Sequence, residues 1–155
     1  MNFSYNWLQS FFNKKLPKPE KLTEILTLHS FETKIFKTID FPGGISDVVF
    51  DIDILPNRAH DCFSHLGVAK EISVICDLSL KTQPQQKLAI EKREAGDFLK
   101  LDVQEPILCR RYIAGIMLDI KVGPSPSWMQ ERLMATNQRP INNIVDCANY
   151  AMLEL

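Results

Sequence analysis

The sequence predicts an α+β fold: a small helical amino-terminal domain holding a short strand pair, then the opening of an α/β unit. Three observations carry this. Apolar residues recur at helical spacing behind capping residues in the first 30 positions, again after Ser64 and again after Ser125. Residues 47–54 instead alternate, with Val48, Phe50, Ile52 and Ile54 on one face and Val49, Asp51 and Asp53 on the other. A polar stretch containing Pro84 and Gly96 separates the two parts. The expected domains are therefore 1–80 and 97–155, joined by a linker over 81–96.

Residues 4–13 read as a short helix capped by Ser4, with Tyr5, Trp7, Leu8, Phe11 and Phe12 forming a bulky apolar face. Pro19 opens a second helix, because its missing N–H costs nothing at the first helical position. Leu22, Ile25 and Leu26 are the buried stripe of that helix, which ends near Ser30. Residues 31–39 mix Thr, Ile and Phe as a strand does, and Pro42-Gly43-Gly44 marks a turn before the alternating strand. Asp51 and Asp53 stand at a spacing a metal could use, but with no further ligand nearby a solvated strand face is the better account.

Pro56-Asn57-Arg58 makes a loop that an Arg58–Asp61 pair clamps, and Ser64 caps the helix that follows. His60 and His65 flank Cys62. A Cys–His nucleophile would also need an orienting third group and an oxyanion site, and the sequence displays neither. Residues 98–104 and 111–121 read as strands, the second by its alternation of Tyr112, Ala114, Ile116 and Leu118 with Ile113, Gly115 and Met117.

Ser125 as N-cap and Pro126 as first residue start another helix, in which Trp128 is expected to be buried as the anchor against the strands. A last helix starts at about Asn142. At roughly 100° per residue, Ile141, Ile144, Val145, Ala148 and Met152 gather on one arc, and Asn142, Asp146, Asn149 and Tyr150 on another. A solvent-facing arc ordinarily carries Lys and Glu. This polar arc suits either plain exposure, with Asn142 as the cap, or the wall of a hydrogen-bonding pocket.

Apolar content of 45%, charged content of 24% and a formal charge of −1 are those of an ordinary soluble globular protein. No apolar run approaches the ~20 residues of a membrane span, and Asn2, Ser4, Asn6 and Gln9 interrupt any signal-peptide core. The expectation is a cytoplasmic protein with no membrane contact. Four scattered cysteines without a Cys-x-x-Cys pair exclude a zinc ribbon and suggest reduced thiols, and no metal-ligand set is expected. Six lysines face four acids in residues 1–40 and two basic residues face six acids in 41–80, so no basic arm for nucleic acid is present.

Three blocks resemble the signatures of one family. The first is Ser4-Tyr5-Asn6-Trp7-Leu8. The second is Pro56-Asn57-Arg58, then Asp61-Cys62, then Ser64-His65-Leu66-Gly67-Val68-Ala69-Lys70-Glu71. The third runs from Gly123-Pro124-Ser125-Pro126 through Trp128, Gln130-Glu131-Arg132-Leu133 and Arg139-Pro140-Ile141-Asn142-Asn143 to Val145-Asp146, Asn149-Tyr150 and Met152-Leu153-Glu154. In this order they are similar to the amino-terminal part of the bacterial phenylalanyl-tRNA synthetase beta subunit.

The resemblance implies that residues 1–80 form a domain of helix-turn-helix-like build, with Arg58 and Asp61 structural, and that 97–155 begins an editing-type domain. It implies part of an enzyme, phenylalanine-tRNA ligase, assembled from two alpha and two beta subunits, with tRNA(Phe) as the nucleic-acid partner. In such enzymes the alpha subunit makes the phenylalanyl adenylate from ATP with magnesium, and the beta subunit edits mischarged tyrosyl-tRNA(Phe). Rejecting a substrate that merely adds a hydroxyl is hard for a hydrophobic pocket, which is why editing is needed. This chain alone is expected to be inactive in aminoacylation, with no catalytic residue for it and no cofactor. Asn149 matches a family asparagine that lines the editing pocket, whereas Ala148 stands where the family has threonine. Arg110 replaces a proline in the family's Cys-Pro-Arg-Tyr, here Cys109-Arg110-Arg111-Tyr112. The family's OB-type tRNA-binding insertion is missing, because only residues 41–46 join the two strand regions. One alternative is a free-standing, non-catalytic module that binds RNA or scaffolds a partner. A DNA-binding regulator built on residues 1–80 fits poorly with the acidic 41–80 segment.

Overall fold

The computed structural model of the chain describes residues 1–82 and 94–155. Its opening strand β1 (Asn2–Ser4) is too short to show a period in the sequence, and it arises by pairing antiparallel with the later strand β3. Ser4 then caps α1 (Tyr5–Ser10), its Oγ accepting from the Trp7 N–H at 2.9 Å. The helix stops before Phe11 and Phe12, whose backbone turns aside to meet Leu80 and Lys81; the Lys81 N–H donates to the Phe11 carbonyl at 2.8 Å. Proline opens α2 (Pro19–His29), which buries Leu22 and Leu26 and closes on Ser30.

Strands β2 (Thr33–Phe41) and β3 (Ile45–Ile52) form an antiparallel hairpin with a register shift between Ile35 and Lys37. Gly43 and Gly44 close it directly, with φ of +89° and +77° that suit glycine alone. The sheet order is β1-β3-β2, so β3 is the centre. Both of its faces are covered. Phe50 and Ile52 pack among the helices, as their alternation implies, but Val49 on the opposite face is also fully buried, against Ala135. The half-buried strand read from the sequence is therefore buried on both sides at its middle.

A 3₁₀ turn (Pro56–Arg58) leads into α3 (Ala59–Cys62), and Ser64 caps α4 (His65–Ile75) by accepting from the Gly67 N–H at 3.1 Å. Gly67 is required here by space. A Cβ at that position would lie 1.9 Å from the carbonyl oxygen of Asp61.

Two further helices, α5 (Ser127–Ala135) and α6 (Asn143–Glu154), belong to the same compact unit as residues 1–82. Met129 and Leu133 of α5 and Leu153 of α6 enter the core formed by Phe3, Trp7, Phe50 and Ile72. The partition expected at 81–96 is thus not the one the packing draws: residues 122–155 join the amino-terminal unit, and residues 83–121 form a second one. Burial decides this, since core side chains contributed by α5 and α6 complete the first unit.

The linker expected over 81–96 falls largely outside the described residues. In the second unit, residues 94–121 contain a 3₁₀ turn (Ala95–Asp97) and no strand among the described residues, contrary to the strands expected at 98–104 and 111–121. Ile113 and Met117 are 79% and 78% exposed. Alternation supplies one face of a strand, but the ladder needs a paired neighbour, and none is formed within the described residues.

Candidate functional site

The three sequence blocks converge on one cluster. Trp7 of α1 is fully buried, with its indole between the imidazole of His65 and the phenol of Tyr150. The centroid separations are 3.8 and 4.7 Å, and the interplanar angles are 19° and 13°. Its Nε1–H donates to Glu154 at 3.0 Å. Arg132 of α5 completes the cluster, its guanidinium 5.3 to 5.8 Å from the ring centres of Trp7, Trp128 and Tyr150. The Arg132 Nη1 donates to the Tyr150 hydroxyl at 2.5 Å and lies 3.7 Å from the Glu154 carboxylate, to which Tyr150 itself donates.

His65 shows why this cluster holds rather than reacts. The Ser4 N–H donates to its Nε2 at 3.2 Å, so Nδ1 carries the proton and donates to the Leu153 carbonyl at 2.8 Å. Complete burial pushes its pKa down to about 3, which keeps it neutral at physiological pH. Burial, reinforced by Glu154, raises the Tyr150 phenol to about 12. Each polar group is matched to a partner. Sequence reasoning read Trp7 as ordinary core and missed the meeting of α1, α4, α5 and α6. The available signal was that all these residues lie in the signature blocks.

The Arg58–Asp61 clamp has the expected geometry and a wider reach. Arg58 Nε donates to the Asp61 oxygens at 3.2 and 3.0 Å, and its Nη2 donates to Glu71 of α4 at 2.9 Å and to Cys62 Sγ at 3.2 Å. Arg58 holds both carboxyls below their usual range. Burial raises the Cys62 thiol to about 11, and His65 is turned away toward Ser4 and Leu153, so the two do not form a nucleophile pair.

Trp128 departs from expectation. It is 48% exposed and touches Tyr150 edge-on at 5.4 Å. The anchoring tryptophan is Trp7. Ser125 differs too: α5 starts at Ser127 with Pro126 as its cap, and the Ser125 hydroxyl donates to Asp146 instead, at 2.5 Å.

In α6 the polar arc faces inward. Asp146 is fully buried, one oxygen accepting from Ser125 and the other from the Ile141 N–H at 2.8 Å. Asn142 is the N-cap, accepting from Ile144 and Val145. The apolar arc faces outward, with Ile141 at 66% and Met152 at 64% exposure. Asn142 and Asp146 are thus engaged in fixing the helix. Asn149 is half-buried, and Ala148, on the outward arc, is exposed.

Asp51 binds the Met1 ammonium at 2.9 Å and Lys34 at 3.5 Å. A shallow polar depression lies there, lined by Met1, Glu32, Lys34, Asp51 and Asp53. None of the candidate site residues contributes to it. Among the described residues, no helix is long and apolar enough to cross a membrane.

Comparison with known proteins gives concordant findings. The B3/4 domain family matches residues 108–155. The chain is 42% identical over 113 residues to the phenylalanine–tRNA ligase beta subunit of Bdellovibrio bacteriovorus, covering 73% of this chain and 14% of that one. It is 36% identical over 158 residues to the beta subunit of Rhodopirellula baltica, covering 99% of this chain and 21% of that one. The latter alignment is barely longer than the chain and leaves no room for an inserted module of domain size. The chain spans about a fifth or less of the curated relatives it matches.

Proposed function

Because the chain belongs with the amino-terminal part of the phenylalanine–tRNA ligase beta-subunit family, we propose that it serves protein synthesis as part of that ligase. In this reading it supports assembly with the alpha subunits in the heterotetramer, contacts tRNA(Phe), and contributes one wall of the site that hydrolyses mischarged tyrosyl-tRNA(Phe). ATP and magnesium act at the alpha subunit, and this chain alone is inactive in aminoacylation. The observation that carries the reading is the alignment running over 99% of the chain, with the three signature blocks meeting in one packed cluster.

Asn149 is the wall residue. Its amide offers both a donor and an acceptor to a bound ester or to the attacking water. Adjacent helical residues diverge by about 100°. A pocket bordered by both Asn149 and Ala148 therefore lies over the flank of α6, between its inward and outward arcs. Alanine at 148 leaves that flank without the hydroxyl that threonine would supply. In the complete ligase, Asn149→Ala should slow deacylation of tyrosyl-tRNA(Phe) by roughly 10- to 100-fold with folding intact, the low end for loss of one charge-stabilising donor. Ala148→Thr should raise the rate in the same assay. An unchanged rate for Asn149→Ala would remove the residue from the site.

A further inference from the structure

Helix α6 is seated in an unusual way. Its apolar arc is turned outward, and of its apolar side chains Leu153 alone is buried, at 6% exposure. Non-directional burial of a greasy face therefore does not set its position. Two groups of directional contacts do. At the amino-terminal end, Asp146 takes hydrogen bonds from Ser125 and from the Ile141 backbone. At the carboxy-terminal end, Tyr150 stacks on Trp7, Glu154 accepts from the indole N–H, and the Leu153 carbonyl accepts from His65. Hydrogen bonds and stacked rings fix rotation and axial position, where hydrophobic contact alone tolerates sliding.

Asn149 lies between these two anchors, three residues after Asp146 and one before Tyr150. The second anchor reaches it across the fold from α1, whose start is set by the Ser4 cap and by the antiparallel pairing of β1 with β3. Trp7 joins all of these: stacked on His65 and on Tyr150, approached by Arg132 at 5.3 Å, and tied by Nε1 to Glu154.

We propose that Trp7 is a positioning residue for Asn149: sandwiched between His65 and Tyr150 and bonded to Glu154, it sets the rotation and height of α6. The proposal rests on the reading of Asn149 as an editing-pocket residue. It gives the first signature block, distant in sequence from the pocket, a role in the reaction there. A displacement of about 1 Å in a reacting arrangement can cost as much as 100-fold in rate. The indole ring and its N–H therefore matter to editing without touching substrate.

The test compares Trp7→Phe, which keeps a ring in the stack and removes the N–H donor, with Leu22→Ala, which weakens the core elsewhere. Both are made in the complete ligase and assayed where each is fully folded. Amide exchange is read in α6 and α4, together with kcat and KM for deacylation of tyrosyl-tRNA(Phe). Trp7→Phe should speed exchange in α6 by about 10-fold, leave α4 unchanged, and lower kcat by about 10-fold with little change in KM. Leu22→Ala should produce neither the selective loosening of α6 nor the fall in kcat. Unchanged α6 exchange in Trp7→Phe overturns the proposal. So does an unchanged kcat in Trp7→Phe where Asn149→Ala slows the reaction. An unchanged kcat in Asn149→Ala overturns instead the pocket reading on which the proposal stands.

Discussion

Gly67 offers a test in which local and tertiary physics have opposite signs. It lies in the first turn of α4, and helix propensity alone favours alanine over glycine by about 0.8–1.0 kcal/mol. The structure forbids it. An added Cβ would lie 1.9 Å from the Asp61 carbonyl oxygen and 2.9 Å from both Asp61 C and Cys62 Cα. Favourable contact between such heavy atoms begins near ~3.5 Å, so α3 and α4 would have to separate by more than about 1 Å. All three neighbours are backbone atoms, and no rotamer change relieves them. Separation strains the Ser64 cap on the Gly67 N–H and loosens Cys62, which is 1% exposed. Overpacking of this kind costs about 1–3 kcal/mol, and loss of a serine cap adds about 1 kcal/mol. Set against the gain in propensity, Gly67→Ala should destabilise the chain by about 1–3 kcal/mol. Urea unfolding followed by tryptophan fluorescence measures it. Gly96→Ala, where a Cβ meets nothing within 4 Å, is the control and should leave the midpoint unchanged. A Gly67→Ala midpoint equal to or above that of the parent would refute the close-approach argument.

Acid should destabilise the chain earlier than its carboxylates alone would cause. Burial holds His65 neutral down to about pH 3, while the unfolded imidazole takes up a proton near pH 6.5. Stability is therefore full above about pH 6.5 and falls toward pH 3, by at most about 1.4 kcal/mol per pH unit for this one proton. Asp47, raised by burial, opposes the loss at the acid end, whereas Asp61 and Glu71, lowered by Arg58, add to it. A urea midpoint that stays flat between pH 7 and pH 5 would contradict the buried neutral state of His65. The two tryptophans should also differ. Trp7→Ala should cost about 3–5 kcal/mol as a core aromatic, and Trp128→Ala about 1–2 kcal/mol, from an edge-to-face pair and a half-exposed cation–π contact. Equal losses by urea unfolding would place Trp128 back in the core.

Local chemistry was readable from the sequence. Ser4, Ser64 and Asn142 cap the helices that were read behind them, Pro19 opens α2, and Arg58 reaches Asp61. Each of these interactions spans four residues or fewer, so the spacing alone specifies it. The family resemblance was readable for a related reason: the signature residues are ordered along the chain whether or not their meeting place is known. The strand composition of β2 and the strand period of β3 were also visible, within two residues at each end.

Direction and partnership were not readable. The period of α6 was seen, but a period marks two arcs without saying which one turns inward, and the polar arc is the inward one because Ser125 waits there for Asp146, and Trp7 and Arg132 for Tyr150. Trp128 and Trp7 look alike as isolated tryptophans. One is half-exposed and the other fully buried because Trp7 lies between His65, 58 residues away, and Tyr150, 143 residues away. The domain boundary failed for the same reason. A polar, proline-bearing stretch marks where the chain leaves a core, but not that residues 122–155 return to it. The sequence by itself determined the helices, their caps and the residues in the signature blocks. Only the tertiary structure decided which faces are covered and which residues meet, because burial and stacking depend on groups that the chain brings together across more than a hundred positions.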